Sequence, residues 1–149
     1  MLFRSLAAAE PGSLAMPRAR RDAVIGLARA LAQGELVIDA GAERDETIRR
    51  LRAMPGIGPW TTAYVAMRAL GDPDAFMPND LGVLHALEEL GEDPSPAATL
   101  RLGERWRPYR AYALQYLWAR VATAPRVPPQ ALAPPSRLTP TNEASIWPR

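Results

Sequence analysis

Residues 54 to 63 read Met-Pro-Gly-Ile-Gly-Pro-Trp-Thr-Thr-Ala, and this string restricts the fold more than any other part of the chain. A helix that reaches Met54 is stopped by Pro55. Gly56 and Gly58 admit positive φ and leave their peptide faces bare. Pro59 then suits the first turn of a second helix. The expected product is a tight hairpin between two helices, with backbone N–H groups presented at a helix N-terminus. Such a place holds anions, a nucleic-acid phosphate among them. Gly-x-Gly alone suits any turn between core helices, whereas the full ten-residue string is far harder to obtain by chance.

The pattern around the hairpin is helical almost throughout. A short helical stretch covers Leu2 to Ala9. Met16-Pro17 opens an arginine-rich amphipathic helix to about Gln33, closed by Gly34, with Val24, Leu27, Ala28 and Leu31 spaced to face the core. Leu36 to Ile38 is a short extended link. A helix over about 43–53 points Ile48 and Leu51 inward, and the second hairpin helix runs from Pro59 to about Leu70. After a turn at 71–75, a helix capped by Asn79 or Asp80 continues through Leu90. Further helices start at Ser95-Pro96, ending near Trp106, and at Pro108, ending near Ala122. No strand pair and no internal repeat emerges, so the fold class is all-α. Residues 1–124 form one helical domain. Residues 125–149 hold seven prolines and almost no apolar periodicity, which is the composition of a disordered tail.

Composition narrows the chemistry. The absence of cysteine excludes disulfides, Cys-ligated zinc and iron–sulfur clusters in this chain, and a single histidine excludes a multi-histidine metal site. No apolar run reaches membrane length and the first residues do not read as a signal peptide, so a cytoplasmic protein is expected. The net charge of +2 resides in the Pro-rich tail. Before Pro125, fifteen arginines balance fifteen acids. Any nucleic-acid surface is therefore built from local patches and backbone dipoles. All 18 basic residues in the Lys+Arg count are arginine.

The hairpin string resembles that of the helix-hairpin-helix DNA glycosylase superfamily. Phe76-Met-Pro-Asn-Asp80 and Arg105-Trp-Arg-Pro-Tyr-Arg-Ala-Tyr-Ala-Leu114 narrow the resemblance to the DNA-3-methyladenine glycosylase II branch, the alkylation-repair enzymes. It runs from about Leu2 to about Val121 and covers only the carboxy-terminal part of a typical member. The fold it implies is a helix-hairpin-helix glycosylase domain truncated at its amino-terminal side. The activity it implies is hydrolysis of the N-glycosidic bond of alkylated purines, such as 3-methyladenine, in double-stranded DNA near the nucleoid.

Asp80 is the sharpest single residue. Taken alone it is a helix cap, worth about 1 kcal/mol. Its distance from the hairpin, however, matches the catalytic aspartate of the resembled family. At a helix N-terminus an ionised carboxylate is favoured by the dipole, and it can stabilise positive charge on deoxyribose or orient water. Trp60 and Tyr64 share one face of the second hairpin helix, and Trp118 lies on the last helix. Isolated aromatics are usually core. The resemblance assigns these three to a base pocket, where a cationic, alkylated base lies between stacked rings. Leu81 replaces a further aromatic that some members carry after the aspartate. Tyr109, Tyr112 and Tyr116 read as packing residues of the last helix, and His85 has no assigned role.

For DNA-backbone binding the resemblance points to Gly56, Gly58 and Thr61. It also implies a monovalent cation held by the main-chain carbonyls of Arg52, Met54 and Ile57, with no cofactor required. Arg105, Arg107 and Arg110 read equally as phosphate contacts or as a solvated edge with ion pairs to Glu104. Bifunctional relatives place a lysine at the Trp60 position; with no lysine, this chain is expected to be monofunctional and to use water. The resembled members also carry an amino-terminal half, which supplies the wedge that opens duplex DNA and covers this core. Without it, the apolar faces of the first two helices are expected to be exposed. Two other readings remain open: a non-catalytic helix-hairpin-helix DNA-binding module, and a glycosylase fragment dependent on a partner.

Overall fold

The computed structural model describes residues 2–39 and 41–123, and among these the chain is all helical with no strand. Seven α-helices follow in order: α1 (Leu2–Ala7), α2 (Arg18–Gln33), α3 (Arg44–Ala53), α4 (Pro59–Ala69), α5 (Leu81–Glu89), α6 (Pro96–Gly103) and α7 (Arg110–Thr123). Single 3-10 turns lie at Pro11–Ser13 and Glu104–Trp106. The expected Pro-rich tail lies outside the described residues.

Helix ends follow the residues that cap them. Gly34 closes α2 at φ 76°, its N–H donating to the carbonyls of Ala30 and Leu31. Asp45 and Glu46 open α3 and Arg50 and Arg52 close it, each with the sign that complements the helix dipole. Asp80 caps α5 and Ser95 caps α6, accepting from the N–H of Val83 and Ala98. Three ends differ from expectation. The α6 helix tightens into a 3-10 turn after Gly103, and α7 begins at Arg110, two residues beyond Pro108. The first helix stops at Ala7, short of Ala9.

One buried apolar cluster joins α4, α5 and α7. Ala66, Met67 and Leu70 of the α4 end meet Val83, Ala86 and Leu87 of α5 and Ala111, Leu114 and Leu117 of α7, with Ala75 and Met77 from the intervening loop. The pairs α5–α7, α3–α4 and α1–α2 pack side by side. The face of α2 differs from the expected one: Ile25 and Ala28 are buried, whereas Val24, Leu27 and Leu31 stay partly exposed. On α1, Phe3 is 50% exposed. In α3, Leu51 is fully buried and Ile48 packs partly buried against the core, and Thr47 is buried too, donating from Oγ1 to the Val37 carbonyl.

The connection between α3 and α4 is the hairpin the sequence predicts, but only one glycine is forced. Ile57 N–H donates to the Met54 carbonyl at 3.1 Å, and Gly56 sits at φ 80°. With Pro55 before it, this is the pattern of a type II turn. Gly58, which the sequence also leaves free to adopt positive φ, has φ −89°, within reach of any residue. A Cβ at Gly56 would stand 2.8 Å from Ala23 Cβ on α2, while one at Gly58 meets nothing within 4 Å. Gly56→Ala is therefore expected to destabilise the chain by about 1–3 kcal/mol. Gly58→Ala is expected to stay within about 0.5 kcal/mol of the parent. Urea-unfolding midpoints of the two variants check the difference, and equal losses would contradict the turn geometry.

Candidate functional site

The site gathers on the Asp80 carboxylate. Its Oδ1 accepts from Val83 N–H at 3.0 Å, closing the cap of α5, and from the Trp118 indole N–H at 2.8 Å. Its Oδ2 accepts from the Trp60 indole N–H at 2.8 Å. An ionised carboxylate offers about four lone-pair positions. Three are taken, and the fourth lies on Oδ2. The cap and the site are thus the same side chain, held by donors from α4, α5 and α7.

A local detail lets Trp118 come so close. A Cβ at Gly82 would stand 3.2 Å from Trp118 Cδ1 and 3.2 Å from Asp80 Oδ1, so the indole occupies space that a side chain at 82 would crowd. Beyond the carboxylate the aromatic rings form a patch. Trp60 and Tyr64 stack with centroids 5.2 Å apart and planes 10° from parallel. Admitting a further ring between them would need about 7 Å, two contact distances of about 3.5 Å. This pair is therefore a closed stack, and a further ring can meet it only on an outer face. Tyr64 and Trp118 open a wedge instead, with centroids 6.2 Å apart and a 48° tilt. The Arg68 guanidinium lies over both of those rings, 5.7 Å and 5.9 Å from their centroids. Trp60 is 43% exposed and Leu81 82% exposed, so the patch faces solvent and Leu81 stands beside it without packing.

A second cluster ties α7 to the loop that carries Asp80. The Arg110 guanidinium grips Asp74 with two hydrogen bonds of 2.7 Å, and Arg107 adds a third at 2.6 Å. Arg107 also binds Glu104 at 2.7 Å, and Ala111 N–H donates to the Pro73 carbonyl. Arg107 and Arg110, candidates for phosphate, are instead committed to carboxylates. Neither Asp74 nor Arg68 was singled out from the sequence. An acid in a turn after Pro73 gives no warning of an arginine fork 36 residues away, and nothing in the spacing of Arg68 announces the two rings it covers.

The other expected site residues fall as follows. No hydrogen bond to another described residue is made by the N–H of Gly56, Gly58, Trp60 or Thr61, which leaves the start of α4 with free donors. Ile57 N–H is excluded from that set by its bond to Met54. The Met54 carbonyl keeps one lone pair after accepting it, and Arg52 lies in the last turn of α3, where carbonyls lose their helical partners. Among the described residues no three His, Cys, Asp or Glu side chains cluster as metal ligands would, and no helix is long and apolar enough to cross a membrane. His85 is exposed and lies 3.4 Å from Glu89 and 3.8 Å from Glu88. Tyr109, Tyr112 and Tyr116 are exposed, Tyr116 by 80%. Their expected packing role is corrected, because the inward face of α7 is carried by Ala111, Leu114 and Leu117.

No protein-family profile matches the chain. Individual proteins do. Over 116 residues the chain is 45% identical to a Mycobacterium tuberculosis protein described as a probable bifunctional transcriptional activator/DNA repair enzyme AlkA, a match taking in 78% of this chain and 23% of that protein. Over 116 residues it is 36% identical to DNA-3-methyladenine glycosylase 2 of Escherichia coli K12, covering 76% of this chain and 40% of that one. This chain is homologous to the DNA-3-methyladenine glycosylases. The crystal structure of a DNA-3-methyladenine glycosidase from Bacillus halodurans superimposes with a TM-score of 0.63 at 26% identity, over 81% of this chain and 59% of that one. The chain spans 23% to 40% of the length of these two curated relatives, and the match lies in their carboxy-terminal part.

The grip on Asp74 has a pH signature. Hydrogen bonding from Arg110, with the charges of Arg110 and Arg107 behind it, holds the Asp74 carboxyl below its usual range against a smaller desolvation cost. A lowered folded-state pKa means that the contribution is present above the unfolded value and disappears as pH falls through the folded one. The Asp74→Asn variant is therefore expected to be less stable than the parent at neutral pH. The gap should close only below about pH 4, read from urea midpoints across the acid range. A gap that persists unchanged at the lowest pH would assign the loss to packing.

Proposed function

We propose that this chain carries the base-releasing centre of a monofunctional glycosylase for alkylated purines, 3-methyladenine among them, in double-stranded DNA. The observation that carries the reading is one carboxylate, Asp80, accepting the indole N–H of both Trp60 and Trp118 at the edge of an exposed aromatic patch. In this reading the patch receives the extruded base and Asp80 Oδ2, with its spare lone pair, faces the sugar or the attacking water. As the C1′–N bond breaks, its electron pair leaves with the base, so a cationic alkylated base departs neutral. Positive charge builds on the deoxyribose beside the carboxylate, which stabilises it. Water forms the new bond at C1′, and its proton passes to the carboxylate or to solvent. Alkylation already weakens the bond, so leaving-group lability supplies selectivity that an open patch does not.

The free N–H groups of Gly56, Gly58, Trp60 and Thr61 would grip a phosphate next to the extruded nucleotide, helped by the dipole of α4. Of the three arginines considered for phosphate, Arg105 alone makes no ion pair among the described residues. A monovalent cation on the Arg52, Met54 and Ile57 carbonyls would strengthen the same anion site. No side chain of the catalytic step depends on it. The chain's place of action in this reading is DNA in the cytoplasm, and its activity either stands alone or needs the portion of the relatives that it does not span.

The test is the release of alkylated bases, counted as abasic sites in methylated duplex DNA. Asp80→Asn is expected to lower the rate by 100-fold or more, on the order of general-base or charge-stabilising loss. Asparagine also sets an NH2 against one indole donor, so Trp60→Phe is the necessary companion. It removes that hydrogen bond, keeps the carboxylate, and should stay within about tenfold of the parent if charge is what matters. Equal rates for Asp80→Asn and parent would end the catalytic reading and leave a DNA-binding module. Borohydride treatment during turnover should trap no covalent adduct, since the chain has no lysine.

A further inference from the structure

We propose that Arg68 is the chain's own occupant of the cation position in the aromatic patch, so that it competes with positively charged bases for the Tyr64–Trp118 wedge and sets how tightly they are held. The inference rests on the reading of that patch as the base site. A guanidinium is planar, delocalised and weakly hydrated, as an alkylated purine cation is. Here it sits 5.7 Å and 5.9 Å from two ring centroids that are themselves 6.2 Å apart. Both distances fall within the range in which a ring face attracts a cation.

Its position in the last turn of α4 suits the helix dipole, but the dipole is served equally by an arginine extended into solvent. None of the ion pairs among the described residues includes Arg68. The rings are what it faces. Trp118 is a particularly good partner, because its N–H donates to the Asp80 carboxylate. A hydrogen bond to an anion polarises the indole toward a more negative ring face. The carboxylate thus strengthens the cation site without touching the cation. The adjacent Trp60–Tyr64 stack is closed, so a cation seeking two faces finds them only where Arg68 already lies. A neutral base does not compete for this position, since the exposed outer face of Trp60 stacks it without regard to charge.

The experiment titrates the full chain with 7-methylguanosine, cationic in mildly acidic buffer, and with neutral guanosine, following tryptophan fluorescence. The parent, Arg68→Gln and Arg68→Lys are compared, with circular dichroism to verify that the exposed substitutions leave the helices intact. Arg68→Gln is expected to tighten 7-methylguanosine about fivefold and to leave guanosine within twofold. Arg68→Lys, which keeps the charge, should bind 7-methylguanosine much as the parent does. An unchanged affinity for the cation in Arg68→Gln, an equal gain for both nucleosides, or no saturable binding by any variant overturns the proposal. Base release and its loss in Asp80→Asn are read separately. Release without the Arg68→Gln gain retains the glycosylase reading and discards this one; the gain without release does the reverse.

Discussion

The carboxylate of Asp80 is the joint on which the site turns. It receives one N–H from each of three helices: an indole from α4, an indole from α7 and the backbone of α5. A cap normally concerns one helix and contributes about 1 kcal/mol. Here the same atoms fix the mutual placement of three. Indole N–H groups are donors only, and an ionised carboxylate only accepts, so the two indoles and the carboxylate match without competing donors. The arrangement orders the aromatic patch without burying it.

Supports behind that joint act at a distance. The Asp74 fork fastens α7 to the loop between α4 and α5, and the Ala111–Pro73 hydrogen bond repeats the fastening through the backbone. Below it, Leu114, fully buried, packs with Val83 and Leu87 in one apolar cluster. Trp118 stands one turn beyond Leu114, so the depth of that packing sets the reach of the indole. On the other side, the type II turn at Met54–Ile57 lays the hairpin against α2, with Gly56 so near Ala23 that no side chain fits. That contact directs the start of α4, and with it Trp60, toward the carboxylate.

Much of this was legible from residue types with strong local consequences. Pro55, Gly56 and Pro59 announce the hairpin, and Gly34 and Ser95-Pro96 announce helix ends, because each acts through its own backbone. Asp80 was legible twice, as a cap and as the acid of the resembled family. What escaped depends on side chains meeting across the fold. Tyr109, Tyr112 and Tyr116 share a helical stripe that looks apolar, yet the neighbouring stripe of Ala111, Leu114 and Leu117 is the one that packs. The spacing could not tell which of two adjacent stripes faces inward. On α2 the shift is smaller: Ala28 is buried as its spacing predicts, Ile25 is buried beside it, and Val24 and Leu27 are half-buried. Gly58 was legible only as a residue that permits positive φ, and it sits at −89°. Pro55 and Gly56 had already completed the turn, so nothing required a positive φ there.

An open patch has an energetic consequence for whatever it binds. Drawing a base out of a duplex costs a few kcal/mol, and one stacked face returns about 1–3 kcal/mol. With Trp60 43% exposed and no slot between it and Tyr64, the chain offers faces instead of an enclosing cavity. Stacking alone therefore about balances extrusion of a well-paired base and exceeds it only where pairing is already weakened by damage. In the proposed reading a phosphate held at the start of α4 would add affinity, but that contact is blind to which base has turned outward. In that reading discrimination would rest on the two features that respond to charge: the Asp80 carboxylate, facing the sugar and hydrogen-bonded to Trp118, and the guanidinium that lies over the Tyr64–Trp118 wedge. A surface of this kind favours ligands that are loosely paired and chemically unstable at the glycosidic bond, and it needs little shape recognition to do so.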